Sequence, residues 1–127
     1  MPHIRNLDDL NTMYNNNLLE LSHGESYLDF FKSRIQPNSL YLLDEAEMPL
    51  SFQNQLVLML LIKEAINLNS QFIIATHSPV LMSYPNACIY NVSEKGFDKS
   101  NYDDLENVTL LRDFLNNKEV YLHQLFK

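Results

Sequence analysis

Two short, unbroken apolar runs on either side of a helical pattern constrain the fold more than any other feature of this sequence. Residues 40–43 (LYLL) lead into Asp44-Glu45, and residues 72–76 (FIIAT) lead into His77-Ser78. Continuous hydrophobicity of this length predicts strands buried on both faces, as in a parallel sheet. Between the two runs, Ser51 can cap a helix that continues to about Leu68, with apolar residues around most of its circumference. A strand, a helix and a second strand predict an α/β fold.

A capping pattern predicts another helix ahead of the first strand. Ser22 and Glu25 form an S-x-x-E capping box, in which the two side chains satisfy free backbone N–H groups at the start of a helix. Apolar residues follow as far as Ile35, and Pro37 cannot continue the hydrogen-bond ladder. We predict a helix over about 23–35, whereas residues 1–20 show no clear period and are expected to form an irregular lead-in.

The segment after the second apolar run predicts a hairpin and closing helices. Residues 87–92 (ACIYNV) predict a third strand, and Glu94-Lys95-Gly96 predicts a turn into a weaker edge strand near Phe97. Residues 103–126 predict one or two closing helices. We therefore expect one domain over residues 1–127, α/β in class, with a mostly parallel sheet of three to four strands and flanking helices.

Composition excludes several classes of function. The chain has 127 residues and a formal net charge of -7, which argues against a protein that binds nucleic acid or anionic membranes through bulk charge. Its single cysteine, Cys88, excludes an internal disulfide framework and predicts a reducing, cytoplasmic location. The longest apolar run, Leu56–Ile62, is too short to insert across a bilayer. The only glycines, Gly24 and Gly96, are too few for a glycine-rich phosphate loop.

Three groups of residues could carry chemistry, and each also has an ordinary structural interpretation. Asp44 at a strand end suits Mg²⁺, and the carboxylate of Glu45 could polarise a water molecule, but both acids could simply be solvated. The segment LSHGES, residues 21–26, could bind an anion at a helix N-terminus, although Ser22 could only cap its own helix. His77 follows a strand end, where open α/β sheets contact ligands, but a loop histidine is commonly a surface residue.

Taken together, the three groups are more specific than any one of them. LSHGES, then YLLDEAEMPLS, then FIIATHSPVL, in this order, resembles the carboxyl-terminal half of an ABC-type ATPase domain. The three segments match the signature motif, the Walker B strand with its D-loop, and the switch-histidine strand. The tail VTLLRDFLNN, residues 108–117, is also similar to the soluble, AAA-like, non-transporter group of that family. The resemblance covers about residues 20–120 and implies a partial P-loop NTPase fold. Its signature, Walker B and switch segments lie within 21–92, and the hairpin and closing helices within 93–127.

The resemblance implies a role for each matching residue in ATP hydrolysis. Asp44 is expected to serve Mg²⁺, Glu45 to act as the general base, and His77 to contact the γ-phosphate. Cofactor contacts are implied for the signature residues and for the D-loop serine, which are Ser22, His23, Gly24, Glu25 and Ser51. The signature face is expected to close over ATP held by a second subunit, so the resemblance implies a homo-oligomer.

Two positions depart from the usual pattern of the family. His23 stands where transporters have glycine, and Ala46 stands where the residue after the catalytic glutamate is commonly proline. The second departure bears on the rigidity of the loop and not on its chemistry.

The largest departure is the absence of a Walker A loop. No G-x-x-x-x-G-K-[ST] segment exists in the chain, and the residues ahead of position 20 are too few for a strand, loop and helix. ATP and Mg²⁺ are therefore cofactors expected for the complete domain, with none expected for this chain alone. The expected partners are an amino-terminal half that carries Walker A, a second protomer, or both, while a nucleic-acid partner stays open.

Two classes of function remain open. The chain could be the Walker B and signature lobe of an ATP hydrolase, or a non-catalytic remnant that acts in protein interaction or dimerisation without nucleotide chemistry. A metal hydrolase that uses Asp44, Glu45 and His77 is less well supported, because no H-x-H, H-E-x-x-H or D-x-D spacing is present.

Overall fold

The described part of the chain has mixed α/β architecture with two small sheets, one of them parallel. The computed structural model describes the backbone of residues 23–127 and the side chains of residues 26–127. The chain divides into two compact units, one ending at Thr76 and the other running from His77 to Lys127. No helix in the described part of the chain is long and apolar enough to cross a membrane.

The first unit alternates helices and strands. Its elements are α1 (His23–Ser33), β1 (Leu40–Asp44), α2 (Phe52–Asn67) and β2 (Gln71–Ala75). The strands pair in parallel, with Leu40 opposite Gln71 and Asp44 opposite Ala75. The predicted helices and the predicted parallel pair are confirmed, with boundaries that differ by one or two residues.

The core of the first unit lies between α1, α2 and one face of the parallel pair. Leu28, Val57 and Leu58 are almost completely buried. Phe31 of α1 packs on Tyr41 and Phe72, whose rings stack with centroids 4.9 Å apart. Apolar side chains of the helices and aromatic rings of the strands therefore hold this unit together.

The opposite face of the parallel pair is exposed, so the prediction of strands buried on both faces is wrong for the chain by itself. The exposed fractions of Leu40, Leu42 and Ile73 are 58%, 70% and 57%. Side chains alternate across a strand, and these three lie on the face away from Tyr41 and Phe72. An apolar sheet face of this kind is normally covered by a further layer of structure.

The second unit contains a hairpin and a pair of helices. Its elements are β3 (Ile89–Ser93), β4 (Gly96–Ser100), α3 (Glu106–Asn116) and α4 (Lys118–Leu125), with short 3₁₀ turns at Leu81–Ser83 and Tyr102–Asp104. The predicted third strand, hairpin turn and closing helices are thus present. Leu81, Leu105 and Val108 form its buried apolar core.

The third strand does not join the parallel pair as predicted. Within residues 23–127, β3 pairs only with β4, antiparallel, from Ile89 opposite Ser100 to Ser93 opposite Gly96. The hairpin has a local cause: a two-residue turn brings β4 against β3 with little loss of chain entropy, and Gly96 accepts the left-handed φ of 112° at the end of that turn. Pairing with the parallel strands would instead join segments that are further apart in the sequence, which costs more loop-closure entropy. The structure therefore has two two-stranded sheets where the sequence predicted one of three to four strands.

Candidate functional site

Two adjacent acids lie at the carboxyl end of the parallel pair. Asp44 is the last residue of β1 and lies opposite Ala75, the last residue of β2. The backbone N–H of Glu45 donates a hydrogen bond of 2.8 Å to the Ala75 carbonyl, which extends the contact between the strands by one residue. Both acids are exposed. Because ligands of parallel sheets bind outside the carboxyl ends of strands, this end of the parallel pair is the candidate site of the first unit.

Glu45 has an unusual backbone conformation. Its φ is +51°, and the other non-glycine residues with positive φ in the described part of the chain are all asparagines, Asn38, Asn69 and Asn86. Asparagine tolerates the left-handed conformation, whereas most other residues lose about 1–2 kcal/mol in it. Glu45 is therefore the exception, and its backbone is strained.

The turn after Glu45 is closed by backbone hydrogen bonds and buried apolar residues. The N–H of Met48 donates to the Glu45 carbonyl at 3.1 Å, and the N–H of Leu50 donates to the Glu47 carbonyl at 2.8 Å. Ala46 and Leu50 are buried. These contacts together hold the turn in one conformation, and such support allows a strained residue to persist in a folded protein.

A pair of substitutions at position 45 measures this strain. We expect Glu45→Gly to be more stable than Glu45→Ala by about 1 kcal/mol, because glycine avoids the left-handed penalty and loses only part of that gain through its freer unfolded chain. The free energies of unfolding are measured by urea titration. At Lys63, an exposed position inside α2, the order should reverse, with alanine more stable than glycine by about 1 kcal/mol. Equal stability of the two variants at position 45 would show that the backbone there is not strained.

Ser51, predicted to contact a cofactor through the D-loop, acts as the N-cap of α2. Its Oγ accepts a hydrogen bond of 3.2 Å from the backbone N–H of Asn54. The capping prediction is confirmed, and the side chain is also exposed. Capping of this kind stabilises a helix by about 1 kcal/mol.

The predicted signature residues lie at the edge of the described part of the chain. Ser22 lies outside the described residues. His23, Gly24 and Glu25 form the first turn of α1 in the backbone, and their side chains lie outside the described residues. The helix predicted over about 23–35 is confirmed as His23–Ser33, and the proposed contacts of the LSHGES segment stay predictions.

His77 is the first residue of the second unit and is exposed. It lines an open, mainly apolar groove of about 490 Å³ together with Leu110, Leu111 and Phe114 of α3. Tyr121 of α4 also lines this groove, and the hydrogen bond that its hydroxyl donates to the Asp113 carboxylate raises the pKa of the phenol. Asp44 and Glu45 are thus brought together in one unit, and His77 is placed in the other.

Two residues that sequence reasoning missed hold the backbone around His77. Asn107 Nδ2 donates a hydrogen bond of 3.0 Å to the His77 carbonyl, and the Tyr102 hydroxyl donates one of 2.6 Å to the Pro79 carbonyl. Both partners are separated from the loop by more than 20 residues, and neither stands in a recognisable motif. No periodicity or capping signal in the sequence could have identified them.

The carboxylate of Asp44 suits a hard cation such as Mg²⁺ that takes its remaining ligands from water and phosphate oxygens. Among residues 26–127, no three His, Cys, Asp or Glu side chains come together as a group that could hold a metal ion. Mg²⁺ at nucleotide sites commonly takes one or two carboxylates and completes its shell with water and phosphate oxygens. The exposed carboxylate of Asp44 at the strand end fits that use.

No family model matches the sequence, and no curated protein matches it.

Proposed function

We propose that this chain is the Walker B and signature lobe of an ABC-type, P-loop ATP-hydrolysing domain, which becomes complete when another polypeptide segment supplies the Walker A loop. The observation that carries the proposal is the arrangement of residues at the carboxyl end of the parallel pair. Asp44 ends one strand, and Glu45, the next residue, is hydrogen-bonded to the end of the other strand. In the sequence, His77 comes two residues after the end of that second strand. The order of acids and histidine is the one that the family resemblance requires.

In this proposal each residue has a distinct task in the complete domain. Asp44 would hold Mg²⁺, which supplies charge neutralisation at the β- and γ-phosphates. Glu45 would orient the attacking water and accept its proton, and His77 would donate a hydrogen bond to a γ-phosphate oxygen. The helix that starts with LSHGES, together with Ser51, would face the nucleotide of a second protomer.

The exposed apolar face of the parallel pair supports the need for a further layer. Leu40, Leu42 and Ile73 would be covered by the segment that carries Walker A, because parallel strands are stable when helices or strands cover both faces. Because this sheet has two strands, each of them also has an outer edge to which a further strand can be hydrogen-bonded.

The proposal predicts a small effect of Leu42→Lys on the chain alone and a large effect on the complex. Alone, the substitution should cost about 1 kcal/mol or less, since the side chain is 70% exposed. Binding of a Walker A half should weaken by about 100-fold or more, because an unpaired ammonium group would be buried. Titration calorimetry measures the affinity. Leu68→Lys, at an exposed leucine outside the sheet, is the matched control and should bind as the unchanged chain does.

The direct test of the proposal is reconstitution of hydrolysis. The chain is expressed together with the amino-terminal half of an ABC-type ATPase domain whose signature has the SHGES form, and phosphate release from ATP–Mg²⁺ is measured. We expect the complex to hydrolyse ATP and each half alone to be inactive. A stable complex without hydrolysis would overturn the catalytic proposal.

A non-catalytic interaction module is the second candidate. It is favoured by the same exposed face, which can dock a partner without any nucleotide chemistry, and by the lack of a Walker A segment in these 127 residues. Complex formation that neither needs nor hydrolyses ATP would favour this candidate.

A further inference from the structure

We infer that Asn107 and Tyr102 are positioning residues. They bind the backbone of the loop that carries His77, and so fix this loop to α3 and to the 3₁₀ turn before it. The inference deepens the proposed function, since it rests on His77 as a residue of the site. It assigns a role to two residues that lie just ahead of the tail segment 108–117 and have no part in the chemistry described so far.

The first support for this inference is the pattern of hydrogen bonds to the loop. Asn107 lies in the first turn of α3 and donates to the carbonyl of His77 itself, at 3.0 Å. Tyr102 lies in the preceding 3₁₀ turn and donates to the carbonyl of Pro79, at 2.6 Å. The two donors are therefore hydrogen-bonded to the loop backbone at alternate residues, 77 and 79.

The second support is the internal order of the loop. Ser78 lies between the two gripped residues and is 5% exposed, and its Oγ accepts hydrogen bonds of 3.1 Å from the N–H groups of Val80 and Leu81. Leu81 is buried in the same core as Leu105 and Val108, which flank Asn107 in sequence. Two hydrogen bonds thus link the loop backbone to α3 and to the 3₁₀ turn before it, and Leu81 at the end of the loop is part of the buried core of the unit.

This arrangement gives the loop histidine a defined backbone position. A hydrogen-bonding side chain that acts on a phosphate must be held within a fraction of an ångström, since small displacements lower rates steeply. Regular pairing of β2 stops at Ala75, two residues before His77. Asn107 and Tyr102 hold the loop backbone from a distant part of the sequence.

The test removes each donor from the full chain and follows the loop directly. Asn107→Ala, Asn107→Asp and Tyr102→Phe are compared with Asn116→Ala and Tyr90→Phe, which alter the same residue types at exposed positions elsewhere in the unit. The carboxylate of Asn107→Asp has the shape of the amide but cannot donate, and it suits the N-terminus of a helix. Loss of helix stability therefore cannot explain an effect of that variant.

Hydrogen exchange and NMR give the first readout. We expect exchange at the Val80 and Leu81 amides to accelerate about fivefold in the three donor variants, the change that loss of one ordinary hydrogen bond produces. The His77 ring resonances, assigned with His77→Gln, should shift in the same variants and stay unchanged in the two controls. Unchanged exchange and unchanged His77 resonances in the donor variants would overturn the inference.

Turnover of the reconstituted complex gives the second readout. We expect kcat to fall about tenfold or more in the donor variants while KM for ATP stays within about twofold, because the loop histidine would be displaced and the nucleotide still bound. Loop loosening with unchanged kcat would show that the two residues only stabilise the fold, which overturns the positioning role. Loop loosening in a chain that never yields hydrolysis would count against the proposed function and leave the hydrogen-bonded anchor intact.

Discussion

The Glu45→Gln variant of the reconstituted domain should hydrolyse ATP about 10²- to 10⁴-fold more slowly than the unchanged protein, which is the usual contribution of a general base. The amide has the size of the carboxylate but cannot accept the proton of the attacking water. The hydrogen bond to Ala75 is made by the backbone of residue 45 and is kept in the variant. We therefore expect KM for ATP to change little and kcat to account for the whole loss.

The control for this prediction is Glu64→Gln, an acid of α2 with no role in the proposed site. It should leave turnover within about twofold. An unchanged kcat in Glu45→Gln would show that Glu45 is not the general base. A loss of kcat that is matched in Glu64→Gln would show a general effect of charge on the complex.

The second large effect is expected at Leu58. Its side chain is completely buried in α2, and Leu58→Ala should lower the free energy of unfolding by about 3–5 kcal/mol, through lost apolar burial and the cavity left behind. Urea unfolding followed by circular dichroism measures it. Since small domains have total stabilities of about 5–15 kcal/mol, the variant should be close to unfolding at body temperature.

Leu68→Ala is the matched control, at a leucine that is 44% exposed just after α2. It should cost about 1 kcal/mol or less, because its side chain keeps much of its contact with water in the folded state. Equal losses at the two positions would contradict the assignment of the core to the α2 face that contains Leu58.

Local elements were predictable because their causes are local. The capping serine and apolar spacing of α2 predicted its start at residue 52 to within one residue, and the proline at 37 explains why α1 ends before it. The turn at Glu94-Lys95 and Gly96 predicted the hairpin, because two-residue turns with glycine pair neighbouring strands.

The candidate site was predictable only in part. The sequence identified Asp44, Glu45 and His77 from their places after apolar strands, and the structure places the two acids at a strand end as expected. The left-handed backbone of Glu45 carries no sequence signal, because glutamate is not a residue that favours this conformation. The role of Asn107 could not be predicted from the sequence either, since its hydrogen bond joins residues 30 positions apart.

By itself, the sequence determined where helices and strands form and which polar residues follow the apolar strands, because periodicity, capping and turn chemistry act within a few residues. Only the tertiary structure decided that β3 pairs with β4 and not with the parallel pair, that Leu42 is exposed, and that α3 grips the His77 loop. Hydrophobicity shows that a surface needs cover but not which segment covers it. That choice depends on contacts between distant residues, which form only when the chain is folded.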